Sequence, residues 1–538
     1  MTKLRLSVAC ALAVATLWAQ HPGLDRIRST DLRADLTFLT SDALEGRRSL
    51  HRGSEAAIQF LAAEFAKAGL KPVAGDSYLQ AVPLVEYRID TTETSLAIEH
   101  GAAKRALKYN VDFFGGSAFE ATVQGPVAFA GYGITAPEFG YDDYASLDAR
   151  GQIVLIFDHE PQEDDPRSIF NGTGSTRYSS AHVKILNARK HGAIAVLFAA
   201  EPNRTHPSPQ ERTARIPGSE QRARRLSPQA LAEAEAGLPS FSISDQVAAE
   251  LLSATGKKPA ELQSTIDQTL RPASQVLPGT RAALRNVLAE QRRGTSYNVL
   301  GLVEGSDPAL SGETIVFSAH FDHEGTWDGN IYHGADDNGS GTVGVLELAR
   351  AFAASPQKPK RSLLFAVFAA EERGLLGSYY YVAHPLRPLE TTRAVINFDM
   401  IGRNETPSRQ TEGLIDIAPD TSNELNLIGT INSPDYRATV ERANEFVGLR
   451  LNYKWDRDTA LSIFQRSDQF PFALRDIPAI WWFTGFHPDY HQTTDTVEKI
   501  NFTKMEKILR LAYLAGEEFA NKTPTPRFVE RPAVGSSQ

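Results

Sequence analysis

The feature that most constrains the fold is the stretch from Ser318 to Arg350, where a buried strand runs into a polar loop and then into a helix. The preceding run Glu313–Ala319 is short, apolar and rich in β-branched residues, as buried strands of parallel sheets are. His320 stands at the end of this strand, Asp322 follows in the loop, and Asp337 precedes an amphipathic helix. In open α/β sheets the carboxyl edge of the strands collects ligands and catalytic groups. We therefore expect the chemistry of the chain at this edge.

Strands and helices alternate through the later part of the chain, which predicts an α/β fold with a mostly parallel central sheet flanked by helices. At 538 residues the chain is too long for a single hydrophobic core. The pattern changes near Phe119 to a β-rich module that ends before a turn-rich linker. We predict a main domain in two parts, 25–118 and 296–522, separated by an inserted β-rich domain and linker at 119–275. The tail 523–538 is rich in proline, and we predict that it is disordered.

The N-terminus has the layout of a secretory signal peptide. Lys3 and Arg5 precede an apolar run, Leu6–Leu17, and small residues such as Ala19 follow, so we predict a signal peptide over 1–19. The chain's one cysteine, Cys10, lies in this run and lacks the preceding leucine of a lipoprotein anchor. We therefore expect an exported protein, secreted or periplasmic, without a membrane anchor. Any metal in the mature chain must be held by His, Asp and Glu.

The formal net charge of −9 gives no support for a nucleic-acid partner, because proteins that bind nucleic acid usually carry a basic face. The chain also lacks the His-Glu-x-x-His, Gly-x-Ser-x-Gly and P-loop motifs. These observations exclude several common enzyme classes and leave the strand-end residues as the main functional signal.

Further acidic and histidine residues follow other apolar strands. Glu371 and Glu372 close one such run, Asp399 closes the next, and His491 lies in a loop after a third. A carboxylate at the enclosed edge of a sheet loses several kcal/mol of hydration unless a cation offsets the loss. Two histidines and three carboxylates without a thiolate suit two divalent ions, zinc above all, with cobalt or manganese as substitutes.

Each motif also has a plain structural interpretation. His-x-Asp at a strand end is commonly a hydrogen-bonded pair, Asp336-Asp337-Asn338 is a good helix cap, and Glu371-Glu372 suits the start of a helix. These interpretations would all have to hold independently at one sheet edge, and we reject them together. Three other histidines rank lower as ligands and are expected in loops or behind the ligands: His323, His333 and His487.

Taken jointly, His320-x-Asp322, Gly334-Ala-Asp-Asp337-Asn-Gly-Ser-Gly, Glu371-Glu372, Asn397-Phe-Asp399 and Tyr490-His491 resemble the M28 family of di-zinc aminopeptidases. The insert resembles the protease-associated (PA) domain of secreted members. The resemblance implies a zinc-exopeptidase-like fold of the phosphorylase/hydrolase type. It also implies two zinc ions on five ligands, which are His320, Asp337, Glu372, Asp399 and His491.

The same resemblance implies roles for individual residues. Asp337 would bridge the two ions, Glu371 would be the general base, and Asp322 would hold His320 from behind. Tyr490 would steady the developing oxyanion. Gln469 stands where many members have histidine, which puts the contribution of that histidine in question here.

The implied function is that of an exported binuclear zinc aminopeptidase, which hydrolyses peptides with a free N-terminus through a metal-bridged water. Two alternatives stay open: a carboxypeptidase-like or glutaminyl-cyclase-like relative, and a catalytically inactive binding scaffold on the same fold. Inactive relatives lose ligands or the base, whereas this chain keeps all of them. The sequence leaves the oligomeric state and the preferred N-terminal residue open, with Trp455, Phe464 and Phe486 as candidates for the pocket wall.

Overall fold

The computed structural model describes residues 21–208, 211, 215, 228–232 and 237–529. The predicted signal peptide and the last part of the predicted tail, from residue 530, lie outside the described residues. The chain forms two compact units. The main unit consists of the residues up to Val82, Thr295–Trp455 and Arg466–Val529, and the inserted unit of Pro83–Gly294 and Asp456–Gln465. Among the residues described, no helix is long and apolar enough to cross a bilayer.

The strands of the described chain fall into two large sheets and two small ones. In chain order they are β1 (Lys71–Pro72), β2 (Leu79–Ile89), β3 (Ser95–His100), β4 (Ala103–Leu107), β5 (Phe113–Phe114), β6 (Ala121–Phe129), β7 (Thr135–Ala136), β8 (Tyr141–Asp142), β9 (Ile153–Phe157), β10 (Ala195–Ala199), β11 (Gln229–Leu231), β12 (Ser240–Ile243), β13 (Gln275–Asn286), β14 (Leu288–Val303), β15 (Thr314–His320), β16 (Gly325–Trp327), β17 (Asn330–Tyr332), β18 (Ser362–Phe368), β19 (Thr392–Phe398), β20 (Glu424–Ile428), β21 (Arg450–Asn452) and β22 (Ala479–Phe483).

The α-helices of the same residues are α1 (Ser29–Leu39), α2 (Arg52–Lys67), α3 (Ala181–Lys190), α4 (Asp245–Leu252), α5 (Pro259–Thr269), α6 (Gly341–Ala354), α7 (Leu376–Ala383), α8 (Pro434–Val447), α9 (Gln469–Ala473) and α10 (Phe502–Asn521). Three shorter helical turns matter for the site: Asp42–Arg47, Ala335–Ser340 and Glu371–Arg373.

The main unit is built on a sheet whose order runs β2-β14-β18-β15-β19-β22-β20-β21. The four central strands β18, β15, β19 and β22 are parallel to one another, and β14 and β20 flank them antiparallel. Every residue of β15 and β18 is buried, as expected for strands covered on both faces. This arrangement confirms the predicted α/β class with a mostly parallel central sheet.

Helices α6 and α10 cover the sheet, and their apolar residues join those of β15 in one hydrophobic core. Gly516 of α10 lies so close to the sheet that a Cβ atom there would come within 2.3 Å of the Phe317 ring. Glycine at this position therefore sets how closely the helix and the sheet pack. Tight packing fixes β15, and with it the position of His320 at the end of the strand.

The inserted unit has an eight-stranded sheet in the order β4-β3-β13-β6-β9-β10-β12-β5. Its central strands β6, β9, β10 and β12 are parallel, and β3 pairs antiparallel with β13. Because of the pairing with β13, strands β3 and β4 belong to this unit. The unit accordingly begins at Pro83, whereas the sequence pattern placed the start of the insert at residue 119.

The first residues of the predicted disordered tail are held by the main unit. Arg361 Nη2 donates to Thr523 Oγ1 at 3.1 Å, and the amide of Val529 donates to the carbonyl of Asn432 at 2.7 Å. Residues 523–529 are therefore an ordered extension of α10. Prolines in this segment end the helix, and the two hydrogen bonds keep the segment on the main unit.

Candidate metal centre

The ends of the four central parallel strands bring the predicted residues together. His320 is the last residue of β15, Glu371 follows β18, Asp399 follows β19, and His491 lies in the loop after β22. Since neighbouring parallel strands end at the same edge of the sheet, side chains that are far apart in sequence converge there. All four of these residues are buried.

Asp337 reaches this edge from the irregular turn Ala335–Ser340, just before α6. Its two carboxylate oxygens face different histidines. Oδ1 lies 3.7 Å from His320 Nε2, and Oδ2 lies 2.9 Å from His491 Nε2. The side chain is therefore placed between two groups of candidate ligands, as a bridging carboxylate would be.

The first group consists of His320, Asp337 and Asp399, whose ligand atoms all lie within 4.8 Å of one another. His320 Nε2 is 3.5 Å from Asp399 Oδ1 and 3.6 Å from Glu371 Oε2, but it makes no hydrogen bond. A buried imidazole nitrogen surrounded by carboxylates and left without a hydrogen bond is what a metal site would present. Ser467 Oγ donates to the other oxygen of Asp399 at 2.7 Å and orients it.

The second group forms around Glu372. Its Oε2 lies 3.2 Å from His491 Nε2, and its Oε1 lies 2.7 Å from Nδ1 of His323. Glu324 approaches the same group, with Oε1 3.9 Å from His491 Nδ1. Sequence reasoning ranked His323 low, yet the structure makes it a neighbour of Asp337 and Glu372. Its position directly after His320-x-Asp322 is the feature of the sequence that could have indicated this placement.

Burial and mutual repulsion shift the protonation of these groups. Burial, together with the nearby charge of Glu372, raises the pKa of Asp337 to about 8. Burial also raises the pKa of Glu371 well above its usual range, and it lowers the pKa of His323 to about 4. So many carboxylates in one buried cluster are costly as anions unless cations lie among them. The donor set therefore fits two divalent ions.

The carboxylate of Asp322 lies behind the cluster. It holds the backbone of Glu371, whereas the family resemblance implied that it holds the ring of His320. Its Oδ1 accepts the backbone N–H of Glu371 at 3.0 Å and lies 3.8 Å from His320 Nδ1. The ring nitrogen is closer to the backbone carbonyl of Asp322, at 3.2 Å. Asp322 thus positions Glu371 with its side chain and faces His320 with its main chain.

Tyr490 covers the second group from the side of the pocket. Its ring stacks on His491 with centroids 3.8 Å apart, and Arg466 Nη2 donates to its hydroxyl at 3.3 Å. The small cavity at this point is lined by Asp337, Glu371, Glu372, Asp399, Met400, Arg466, Trp481, Phe486 and Tyr490.

The three candidates for the pocket wall differ in position. Phe486 lines the cavity, while Trp455 packs behind it, edge to face at 5.8 Å. Phe464 belongs to the inserted unit. Of the three, Phe486 is the one that lines the cavity of the main unit.

Two of the lower-ranked histidines lie outside both groups. His333 Nε2 is 2.9 Å from Asp42. His487 is buried with Nε2 3.2 Å from Asp336 Oδ2. Gln469 is also buried, and its side-chain oxygen accepts from Asn397 Nδ2 at 3.5 Å. Each of these three residues therefore contacts a neighbouring segment of the chain.

Sequence reasoning missed a set of groups that hold the ligand loops. Asp495 Oδ2 accepts the backbone N–H groups of Asp336 and Asp337, at 2.9 and 3.2 Å. Arg47, which is 1% exposed, donates to four backbone carbonyls on both sides of the ligand loops. No local pattern marked either residue, because all of these partners except Leu39 lie 158–287 positions away in sequence.

Part of the main unit is similar to known peptidases. Peptidase family M28 matches residues 298–515. Leucine aminopeptidase 2 of Arthroderma otae is 28% identical over 250 residues, which is 43% of this chain and 46% of that protein. The probable lipoprotein aminopeptidase LpqL of Mycobacterium tuberculosis is 31% identical over 245 residues, 41% of this chain and 42% of that protein. The chain thus spans less than half the length of these curated relatives.

Among solved structures, an aminopeptidase from Aneurinibacillus sp. strain AM-1 is similar over 95% of this chain and 98% of that chain, with a TM-score of 0.49 and 20% identity. BSAP, a zinc aminopeptidase from Bacillus subtilis, covers 94% of this chain and 99% of its own, with a TM-score of 0.44 and 19% identity.

Proposed function

We propose that the chain is a binuclear zinc aminopeptidase of peptidase family M28, the family that matches residues 298–515. One observation supports the proposal above the others. Asp337 directs one oxygen to His320 and the other to His491, so that two groups of ligands share a single carboxylate. The curated relatives that it matches are named as aminopeptidases.

In this proposal His320, Asp337 and Asp399 would hold the first ion, and Asp337, Glu372 and His491 would hold the second. When bound, a pair of zinc ions would lower the pKa of a water toward about 7 and polarise the scissile carbonyl. Neutral His323, beside Glu372, steadies the second group from behind.

Glu371 is the proposed general base. Its Oε2 lies 3.6 Å from His320 Nε2, and Asp322 fixes its backbone through the N–H group, so the carboxylate is directed at the centre of the site. Burial raises its pKa, which strengthens it as a proton acceptor. It would take a proton from the attacking water and pass it to the leaving amine.

The names of the curated relatives support aminopeptidase activity over the carboxypeptidase-like alternative, because the relatives that the chain matches are named as aminopeptidases. Four carboxylates line the pocket. Three of them are the proposed zinc ligands Asp337, Glu372 and Asp399, so two zinc ions would offset their charge.

We also propose that the protein is exported by the leader at 1–19, and that the inserted unit corresponds to a PA domain. The charged start and apolar run of the leader support export. The support for a PA domain is the position of the unit, inserted between two parts of the peptidase domain.

A substrate panel tests the proposal. We expect rapid release of the first residue from peptides with a free N-terminus, none from the same peptides after acetylation, and hydrolysis rather than ring closure of N-terminal glutamine. A chelator should abolish the activity and zinc should restore it, because polarisation of the scissile carbonyl would depend on the bound ions. Hydrolysis of only the acetylated peptides, or chelator-resistant activity, would contradict the assignment.

Tyr490→Phe tests the oxyanion role. The variant keeps the ring that stacks on His491 and loses only the hydroxyl. If the hydroxyl stabilises the oxyanion, kcat should fall by about 10²-fold with KM little changed, in line with removal of one such donor. An unchanged kcat would leave Tyr490 as a packing residue for His491.

A further inference from the structure

A second cluster of metal-ligand side chains lies in the inserted unit, built by the same strand geometry. The parallel neighbours β9 and β10 end at the same edge of their sheet. His159 and Glu163 follow β9, and Glu201 and His206 follow β10. The four side chains meet with one ligand atom from each within 4.8 Å of all the others.

The distances between the ligand atoms are short and nearly equal. His159 Nδ1 lies 3.0 Å from Glu163 Oε2, 3.0 Å from Glu201 Oε1 and 2.9 Å from His206 Nε2. His206 Nε2 lies 2.7 Å from Glu163 Oε1 and 2.9 Å from Glu201 Oε1. Ligands at about 2.0–2.1 Å from a tetrahedral zinc ion are about 3.3 Å apart, so a small outward shift would accommodate the ion.

Burial separates this cluster from an ordinary surface charge network. The side chains of His206 and Glu201 are each 2% exposed, and that of His159 is 6% exposed. Although Glu201 Oε1 is close to both imidazoles, it makes no hydrogen bond with acceptable geometry. A fully buried carboxylate oxygen in this state is costly unless a cation completes the site.

The two imidazoles face each other with their ring nitrogens 2.9 Å apart. Only one proton fits between these atoms, so two protonated rings would set N–H groups against each other. A cation at the centre would bind the lone pair of each neutral ring and leave the outer nitrogens to carry the protons. Those outer nitrogens have partners: His206 Nδ1 is 3.0 Å from the Pro207 carbonyl, and His159 Nε2 is 3.4 Å from Ser462 Oγ.

We propose that His159, Glu163, Glu201 and His206 bind one zinc-class divalent ion in a closed, four-coordinate structural site. Two imidazoles and two carboxylates complete the tetrahedral shell and neutralise the dication, and the outer partners on the rings are those that metal-bound histidines usually have. The site is separate from the proposed catalytic pair, since all four ligands belong to the inserted unit.

The proposed ion would tie together pieces that are distant in sequence. Ser462, the partner of His159, lies in the segment Asp456–Gln465, which joins the inserted unit from a late part of the chain. The ion would therefore fix this segment against the loops after β9 and β10. Its role is the stability of the inserted unit, because no coordination position remains open for a substrate.

Metal stoichiometry of the full-length protein tests the proposal. The probe is zinc, measured by mass spectrometry after desalting, in the wild type and in the double variant His159→Gln/His206→Gln. The matched control is His100→Gln, an exposed histidine of the same unit whose Nδ1 lies 3.1 Å from Thr280 Oγ1. We expect the double variant to bind one equivalent fewer than the wild type, and the control to bind the same number. Equal zinc content in all three proteins would overturn the proposal.

A second variant covers the case in which the first does not fold. His320→Gln/His491→Gln disables the proposed catalytic pair and leaves the inserted unit intact. We expect it to keep one equivalent of metal, and its cobalt-substituted form to show the visible absorption of tetrahedral cobalt. Complete loss of metal from this variant would overturn the inserted site. If the wild type bound a single equivalent of zinc and the first variant bound none, the inserted site would stand. That result would refute only the proposed function.

Discussion

Glu371→Gln should retain its zinc and lose nearly all of its turnover. The amide matches the carboxylate in size, so the loop after β18 and the hydrogen bond from the Glu371 N–H to Asp322 stay in place. It cannot accept the proton of the attacking water, and general base catalysis contributes about 10²–10⁴-fold to a rate. We expect kcat to fall by that factor, measured by steady-state hydrolysis of a free-amine substrate alongside zinc content.

Two variants show whether the effect is specific. Glu445→Gln removes a carboxylate from the exposed side of α8 and should leave kcat and zinc content unchanged. Glu372→Gln alters a proposed ligand, so zinc and activity should fall together. If Glu371→Gln lost zinc to the same extent as Glu372→Gln, Glu371 would be a ligand. If it kept normal turnover, the base would have to be sought elsewhere.

The central sheet was predictable because its strands are covered on both faces. β15, β18, β19 and β22 are mostly apolar strands of five to seven residues, and the polar residues at their ends or in the loops that follow mark the edge where the ligands lie. Convergence of His320 and Asp399 then follows from the pairing of parallel strands alone. The extent of the inserted unit does not follow in this way, since the pairing of Leu96 with Leu284 has no local signature.

The predictable part of the site is the set of residues that follow strands directly. Groups that act through the backbone of other segments carry no such signal, and Asp495 and Arg47 were missed for that reason. The cluster of His159 and His206 was missed as well, because its two halves follow different strands and lie 47 positions apart without a motif spacing. The pairing of strands in the sheet brings these side chains together, and no local sequence pattern indicates it.

Arg47 should be the most sensitive position outside the ligands themselves. Its guanidinium is buried and donates to the carbonyls of Leu39, Phe321, His333 and Gly334 at 2.7–2.9 Å. Arg47→Met would leave these acceptors without a partner in a buried region, at about 1–3 kcal/mol for each that water cannot reach. We expect the free energy of unfolding to fall by roughly 3–5 kcal/mol, measured by denaturant titration.

Arg47→Lys separates the geometry of the side chain from its charge. Arg52→Met is the control for the loss of an exposed arginine. Lysine keeps the positive charge but carries a compact ammonium in place of the planar fork, so it can satisfy only some of the four carbonyls and should recover part of the stability. Arg52 is exposed at the start of α2, and its change to methionine should alter stability by no more than about 0.5 kcal/mol.

The zinc content of the Arg47 variants links this stability to the site. The carbonyl of Phe321 directly follows His320, and that of Gly334 lies three residues before Asp337, so the arginine fixes the two loops that carry these ligands. Loosened loops hold the ligands less well in place, and zinc affinity should fall in Arg47→Met while Arg52→Met binds normally. Normal stability and zinc affinity in Arg47→Met would show that the loops are fixed by the packing around them, without the arginine.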